Sequence, residues 1–189
     1  MPCLTNRRIP AGTYGGVRGW RYENFSYLAL LDCSQFEKMT SDLRFRPAKY
    51  EDWKLTFEFK KDGLKSYVEK IWGWDEKKQK KFHKENFDPK KTEIIQSENN
   101  EIGYWTIRTS DSEIYLENLI IGKDFQNSGF GTKTMDLIIK KSKKEKKPIR
   151  LRVLKENKRA KKFYENLGFE KILESENHYE MKKTGYNNV

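Results

Sequence analysis

From residue 43 onward, the spacing of hydrophobic and polar residues divides the chain into segments typical of strands and segments typical of helices. Alternation over Leu43–Pro47 predicts a short strand that ends at the proline. The stretches 50–72 and 75–87 are aromatic-rich and predict two helices. Asp75 is a suitable N-cap for the second helix, and Asp88-Pro89 ends it, because a residue before proline is pushed out of the helical conformation.

Three more strands and then two helix–strand units complete the pattern. The predicted strands cover 92–96, 102–109 and 113–121, of which the last is the longest and most apolar. They are followed by a helix over 132–147, a strand over 149–153, a helix over 157–167, and final strands over 169–173 and 178–182. Gly168 has the position in which a glycine commonly ends a helix. This order predicts an α/β fold with a mixed sheet and helices packed on it.

Composition supports a folded chain and narrows its class. The 189 residues include 11 Phe, 10 Tyr and 5 Trp, more aromatic residues than a disordered chain carries. No apolar run approaches the length of a membrane-spanning helix. The two cysteines, Cys3 and Cys33, lie within residues 1–38, so the remainder has no disulfide and no thiolate metal site. We expect no metal, no membrane contact and a cytoplasmic location.

Residues 1–38 differ from the remainder and are expected to form a separate extension. They contain a glycine-rich stretch and an apolar run that is short for a secretory signal and is flanked by acidic residues. A second methionine, Met39, opens a segment that looks like the start of a domain. We expect 1–38 to be peripheral or a product of start-site choice, and 39–189 to be one domain.

The net charge of +11, from 39 basic and 28 acidic residues, favours anionic partners. Lysines are spread along the chain and are densest at 140–147 and 155–162, so solvated helix faces are the simplest interpretation. A basic module that binds nucleic acid is one alternative function. The same charge disfavours polycationic ligands, although local fields matter more than net charge.

A glycine-bearing loop joins the longest predicted strand to the next helix. Its sequence is Gln126-Asn127-Ser128-Gly129-Phe130-Gly131, and free backbone N–H groups at such a helix start form a suitable anion site. It is not a dinucleotide fingerprint, because a third glycine is absent, and not a P-loop, because Thr132 separates Gly131 from Lys133. A helix start that merely needs small residues is the alternative.

Two segments together resemble the GNAT superfamily of acyl-CoA-dependent N-acetyltransferases. The run LENLIIGKDFQNSGFGTKTM matches the family's Q/R-x-x-G-x-G/A loop, and LRVLKENKRAKKFYENLGF matches its N-x-x-A-x-x-x-Y helix that ends in Gly-Phe. The resemblance covers about residues 43–183 and includes the order of elements. The segments GWDEKKQKKF and ENHYEM also resemble a subgroup of small bacterial members with no established acceptor.

The resemblance implies a site for acetyl-CoA at the glycine loop and at a gap in the sheet. In the family, the strand before the loop, here 113–121, splays away from the next parallel strand, here 149–154, and the pantetheine arm lies between them. Asn157 would hold an amide of that arm. Carried over position by position, the other cofactor contacts are Leu119, Ile121, Gln126, Asn127, Ser128, Gly129, Phe130, Gly131 and Thr132.

The resemblance also implies transfer of an acetyl group to a primary amine of a small molecule or protein, by direct attack in a ternary complex. Tyr164 occupies the position at which the family often has the acid for the departing thiolate, but it also lies on an apolar helix stripe and could serve packing alone. A backbone N–H near Ile121 would bind the oxyanion. A CoA-binding protein without catalysis is the other alternative, and a monomer or homodimer is expected.

The sequence does not decide which group acts as the general base: several side chains, or water, could take the proton from the amine. Glu117 lies in the predicted strand 113–121, on the same side as Tyr115 and Leu119, where a carboxylate needs a task or a partner. That partner would be Arg108 or Arg152 on a neighbouring strand.

Glu113 and His178 are reserve candidates for the base, and a solvated amine could also lose its proton to water. The acceptor pocket is expected between the first helices and the last strands. Aromatic residues available there, most of them expected in the core, are Trp53, Trp72, Trp74, Trp105 and Tyr104.

Overall fold

The structure, a computed structural model, describes residues 43–184. Its first half contains β1 (Leu43–Pro47), α1 (Trp53–Trp72), α2 (Glu76–Asn86), β2 (Thr92–Ser97), β3 (Asn100–Thr109) and β4 (Ile114–Ile121). Its second half contains α3 (Phe130–Glu145), β5 (Ile149–Leu154), α4 (Lys158–Asn166), β6 (Glu170–Glu174) and β7 (His178–Lys183). Each strand and helix predicted from residue 43 onward is present, with ends that differ by a few residues. The predicted extension at 1–38 lies outside the described residues.

Capping residues explain where the helices begin and end. The Asp75 carboxylate accepts a hydrogen bond from the Lys78 N–H at 3.1 Å at the start of α2. The Asn157 side chain accepts one from the Ala160 N–H at 3.0 Å at the start of α4. Gly168 follows α4 with a φ of +80°, a conformation that favours glycine. Within residues 43–184, no helix is long and apolar enough to cross a membrane.

Seven strands form one mixed sheet in the order β1-β2-β3-β4-β5-β7-β6. Only the β4–β5 pair is parallel in this sheet. The two strands pair from Ile114↔Ile149 to Leu116↔Leu151 and no further, although they continue to Ile121 and Leu154. The predicted splay between them is therefore confirmed. We call the point beyond Leu116 and Leu151 the fork.

Helices pack on the two faces of the sheet with separate apolar clusters. On one face, Leu116 and Leu151 pack with Met135 of α3 and Tyr164 of α4. On the opposite face, residues of β2, β3 and β4 pack against α1, in a cluster formed by Ile94, Tyr104, Ile120, Ala48, Leu55, Phe59 and Leu64. We refer to these as the α3/α4 face and the α1 face.

A β-bulge in β4 changes which side chains reach each face. The β3–β4 register slips at Glu117, which has no partner on β3. Leu116 before the bulge and Leu119 after it both pack on the α3/α4 face, whereas strict alternation would separate them. Tyr115 therefore faces the α1 side. The prediction that Glu117 shares a side with both Tyr115 and Leu119 is wrong, because one extra residue moves all later side chains to the other face.

Candidate active site

A cleft of about 500 Å³ opens at the fork between β4 and β5. Its walls come from the end of β4, the loop that follows it, the first turns of α3 and α4, and one turn of α1. The structure brings most of the predicted site residues together along these walls, namely Leu119, Ile121, Gln126, Asn127, Gly129, Gly131, Thr132, Asn157 and Tyr164.

Three predicted site residues lie outside this lining. Ser128 is 4 % exposed and Phe130 is 1 % exposed, and the Phe130 ring packs in the core beside Ile95. Any contact of these two positions with a cofactor is therefore limited to the main chain. Glu117 is ion-paired with Arg108. Of the alternatives for Glu117, the structure shows the ion pair, and Arg108 rather than Arg152 is the partner.

The loop before α3 turns twice through the left-handed conformation. Asn127 has a φ of +65° and Gly129 a φ of +77°. The Gln126 side chain donates a hydrogen bond to the Ile121 carbonyl at 2.8 Å, which holds the loop against the end of β4. Since the first N–H groups of a helix have no partner within the helix, the α3 N-terminus presents partial positive charge at the cleft wall.

Arg159 was not predicted, and it connects the two sides of the cleft. Its guanidinium donates hydrogen bonds to Gln126 Oε1 and Asn127 Oδ1, each at 2.8 Å. Both partners are neutral amides, so they leave the positive charge of Arg159 uncompensated. The signal in the sequence was its place two residues after the Asn157 cap, but 39 basic residues obscured it.

The wall formed by α1 was also missed. It consists of Gly63, Leu64 and Tyr67, which lie on one side of the helix. A Cβ atom on Gly63 would lie 3.3 Å from Ile120 Cγ2, so α1 approaches β4 closely at this glycine. A glycine inside a helical pattern was the available signal, because it often marks close packing.

Tyr164 is one of the residues that line the cleft. Its ring is 9 % exposed and packs edge-on against Phe163 and Phe169, with centroid distances of 5.3 Å and 5.6 Å. Burial raises the pKa of Tyr164 above its usual range, so the hydroxyl stays protonated at neutral pH. A protonated hydroxyl can donate a proton, and the raised pKa makes it a weaker acid than an exposed tyrosine. The packing and acid interpretations of Tyr164 are thus compatible.

The α1 face of the fork carries charged side chains beside its apolar cluster. Arg150 binds Glu113 at 3.2 Å and also forms an ion pair with Glu180. Arg108 binds Glu117 on the same side of β4 and lies over the ring of Tyr115, 5.1 Å from its centroid. Two of the predicted base candidates, Glu113 and Glu117, therefore already have cationic partners.

An aromatic pair lies at the edge of this charged surface. Trp72, at the end of α1, is 57 % exposed, and its ring centroid is 6.0 Å from that of His178 on β7. Burial and the positive charge of Arg152 lower the pKa of His178, so its imidazole is neutral at pH 7. Of the other aromatics predicted for an acceptor pocket, Trp53, Trp105 and Tyr104 are buried.

Comparison with known proteins identifies the family. The model of the acetyltransferase (GNAT) family matches residues 50–169, so the chain belongs to the acetyltransferase (GNAT) family, as its two motifs predicted. No protein of curated function matches the sequence.

Many solved structures share this fold. PaiA N-acetyltransferase from Thermoplasma acidophilum in complex with coenzyme A has a TM-score of 0.62 at 17 % identity, over 75 % of this chain and 98 % of that one. An acetyltransferase from Thermus thermophilus has a TM-score of 0.59 at 17 % identity, over 75 % and 96 %. The ribosomal-protein-S18-alanine N-acetyltransferase from Escherichia coli has a TM-score of 0.53 at 15 % identity, over 74 % and 90 %. At these identities the likeness shows the fold.

Proposed function

We propose that this protein transfers the acetyl group of acetyl-CoA to a primary amine. The observation that carries the proposal is the cleft at the fork, where the α3 N-terminus, Arg159 and Tyr164 line one continuous space. Membership of the acetyltransferase (GNAT) family supports acetyl transfer. The coenzyme A in the Thermoplasma acidophilum structure, which has the same fold, supports acetyl-CoA as the donor.

The residues of the cleft fit both ends of such a cosubstrate. A diphosphate needs N–H donors and positive charge, which the α3 N-terminus and Arg159 supply at one end. A pantetheine arm needs main-chain partners for its amides. Because β5 has diverged beyond the fork, β4 has no strand partner on that side at Leu119 and Ile121. The Ile121 carbonyl there is already bound by the Gln126 side chain, so the Leu119 main chain and the Ile121 N–H are the groups offered to the arm. Asn157, whose side chain caps α4, lies on the opposite wall.

The reaction is the attack of a neutral amine nitrogen on the thioester carbonyl carbon. The carbon–sulfur bond breaks, and the thiolate takes a proton. We propose that the Tyr164 hydroxyl supplies that proton, since it lines the cleft and is protonated at neutral pH. A main-chain N–H near Ile121 is proposed to stabilise the negative charge that develops on the carbonyl oxygen.

The amine must lose its own proton before or during the attack. Glu117 remains the proposed base, because it is one residue beyond the fork on β4, whereas His178 pairs with Leu154 at the far end of β5. The Arg108 ion pair engages the Glu117 carboxylate, so an amine that loses its proton to water is the second route. Replacing Glu117 by Gln separates the two routes, since only the first requires a carboxylate there.

Thermal melting with acetyl-CoA tests the proposal, followed by an amine panel monitored for free thiol. Acetyl-CoA at a hundredfold excess over its dissociation constant should stabilise the protein by about 2.7 kcal/mol. ATP is the control ligand, because it carries a polyphosphate but no thioester arm. An equal shift with ATP, or none with acetyl-CoA, would contradict the proposal. A shift with double-stranded DNA that disappears in salt would favour the nucleic-acid alternative.

A further inference from the structure

We propose that the acceptor amine carries a carboxylate, as a free amino acid does, and that Arg152 binds this carboxylate on the α1 face of the fork. The inference rests on the proposed acetyl transfer and names the class of its acceptor. Its basis is the arrangement of charge around a single guanidinium.

Arg152 lies at the fork, on the face away from α3 and α4. It is the first residue of β5 beyond Leu151, the last position that pairs with β4. Its neighbours Leu151 and Val153 are buried in the cluster of the α3/α4 face, so alternation turns Arg152 to the α1 face. The cleft extends to this face, because Ile120 of the α1 face lines it together with Leu119 of the other. Arg152 itself lies outside the lining of the cleft, so an acceptor bound to it must span from the α1 face to the fork.

Arg152 differs from the other two arginines on this surface because it has no ion pair. Arg108 is engaged by Glu117, and Arg150 is engaged by two carboxylates. Arg152 is exposed and forms no ion pair within residues 43–184. Glu180 is its cross-strand partner in the sheet, yet the Glu180 carboxylate is bound to Arg150. Within the described part of the chain, the pairing of its neighbours thus leaves the Arg152 guanidinium without a carboxylate partner.

A free guanidinium at this point selects for a carboxylate and against a second amine. Its planar set of N–H donors matches the two oxygens of a carboxylate, and such bidentate pairs are stronger and more directional than neutral hydrogen bonds. A polyamine would bring a further positive charge toward Arg152 and toward Lys182, which lies on the same face of β7. Both effects favour an acceptor with an acidic group.

The aromatic pair beside Arg152 indicates what else the acceptor carries. His178 lies close enough to Arg152 for the arginine charge to lower its pKa, and the exposed Trp72 ring packs against His178. A neutral imidazole does not compete for the guanidinium as a carboxylate would. The open face of Trp72 offers apolar surface to a side chain. An amino acid with an apolar or aromatic side chain matches this combination.

The experiment compares amines that differ by one carboxylate. Initial rates with acetyl-CoA are measured for phenylalanine against phenethylamine and for tryptophan against tryptamine. The wild type should prefer the acid of each pair. Arg152→Ala should reduce the ratio of kcat/KM for acid over decarboxylated amine by about 10- to 100-fold, as expected for a lost hydrogen bond to a charged group. Dividing the acid-over-amine ratio of the wild type by that of the variant cancels the different intrinsic reactivity of the two amines.

Two further variants test the geometry and the charge. Arg152→Lys keeps the charge but loses the bidentate pairing, so it should recover only part of the preference. Lys182→Ala removes a cation from the same face and should leave the ratio unchanged. A change in Lys182→Ala as large as in Arg152→Ala would mean that general field, and not binding at Arg152, sets the preference, and would overturn the inference.

The remaining outcomes separate this inference from the proposed function. If acetyl-CoA raises the melting temperature and both amines of each pair react equally, acetyl transfer stands and the acidic acceptor is wrong. The acidic acceptor is also wrong if no acid reacts and N-acetylphenylalanine fails to bind the CoA-loaded protein. If acetyl-CoA does not stabilise the protein, both proposals fail together.

Discussion

The two faces of the sheet at the fork offer different parts of the chain to a ligand. On the α3/α4 face, the groups available are main-chain amides at the start of α3, joined by Arg159 and Tyr164. On the α1 face, they are charged side chains of β4, β5 and β7, most of them already paired with each other. Under the proposed function, the first face binds the phosphate groups of acetyl-CoA, and the second binds the acceptor.

This difference explains why one face carries a motif and the other does not. Main-chain recognition restricts the sequence, because a left-handed turn and a close approach of phosphate favour glycine at set positions. Side-chain recognition restricts only charge and shape, which many residues on different strands can supply. The cofactor side is therefore recognisable by sequence, whereas the acceptor side depends on how the strands place their side chains.

The largest expected effect comes from removing the Tyr164 hydroxyl group on the α3/α4 face. Tyr164→Phe should lower kcat by about 10²- to 10⁴-fold, the range for loss of a general acid. The melting shift with acetyl-CoA should persist, because the ring still packs against Phe163 and Phe169. Tyr179→Phe is the control, since Tyr179 is a half-buried tyrosine on β7 away from the cleft. An unchanged kcat in Tyr164→Phe would mean that Tyr164 contributes only to packing and does not act as the acid.

A second test compares alanine variants of two arginines, Arg159 on the α3/α4 face and Arg152 on the α1 face. Arg159→Ala should raise the KM for acetyl-CoA by about 10- to 100-fold, since a charged hydrogen bond to phosphate is lost. It should leave the preference between acidic and decarboxylated amines unchanged, which is the opposite of Arg152→Ala. Lys158→Ala is the matched control, because Lys158 is an exposed cation next to Arg159 and does not line the cleft. If both arginine variants change the same parameter, the two faces are not separate.

The smallest effect concerns the turn that starts α3. Gly129 and Gly73 have φ values of +77° and +74°, and a Cβ atom on either would meet no atom within 4 Å. Alanine should cost about 1–2 kcal/mol of stability at Gly129 and at least as much at Gly73, because the strain is in the backbone. Only Gly129→Ala should weaken acetyl-CoA binding, measured by titration calorimetry. Equal losses of affinity in both variants would show that the effect follows stability alone.

Local sequence was sufficient for the elements and for many of the residues that line the cleft. Apolar spacing placed α3 and α4, and Asp75 and Gly168 marked helix ends, because caps act on neighbouring residues. Local sequence was insufficient at Glu117, where a bulge moves the later side chains of β4 to the opposite face of the sheet. A bulge is defined by pairing with a second strand, so no periodicity within β4 could show it.

The sequence by itself determined the order of strands and helices, the loop that leads into α3, and the family to which the chain belongs. Those properties depend on contacts within a turn or along one element, where residue spacing is sufficient. Only the tertiary structure decided that α1 closes the cleft at Gly63 and that Arg159 reaches Gln126. It also decided that, among residues 43–184, Arg108 and Arg150 form ion pairs and Arg152 does not. Each of these joins residues far apart in the chain, and the choice among many possible charge partners follows from strand order and register.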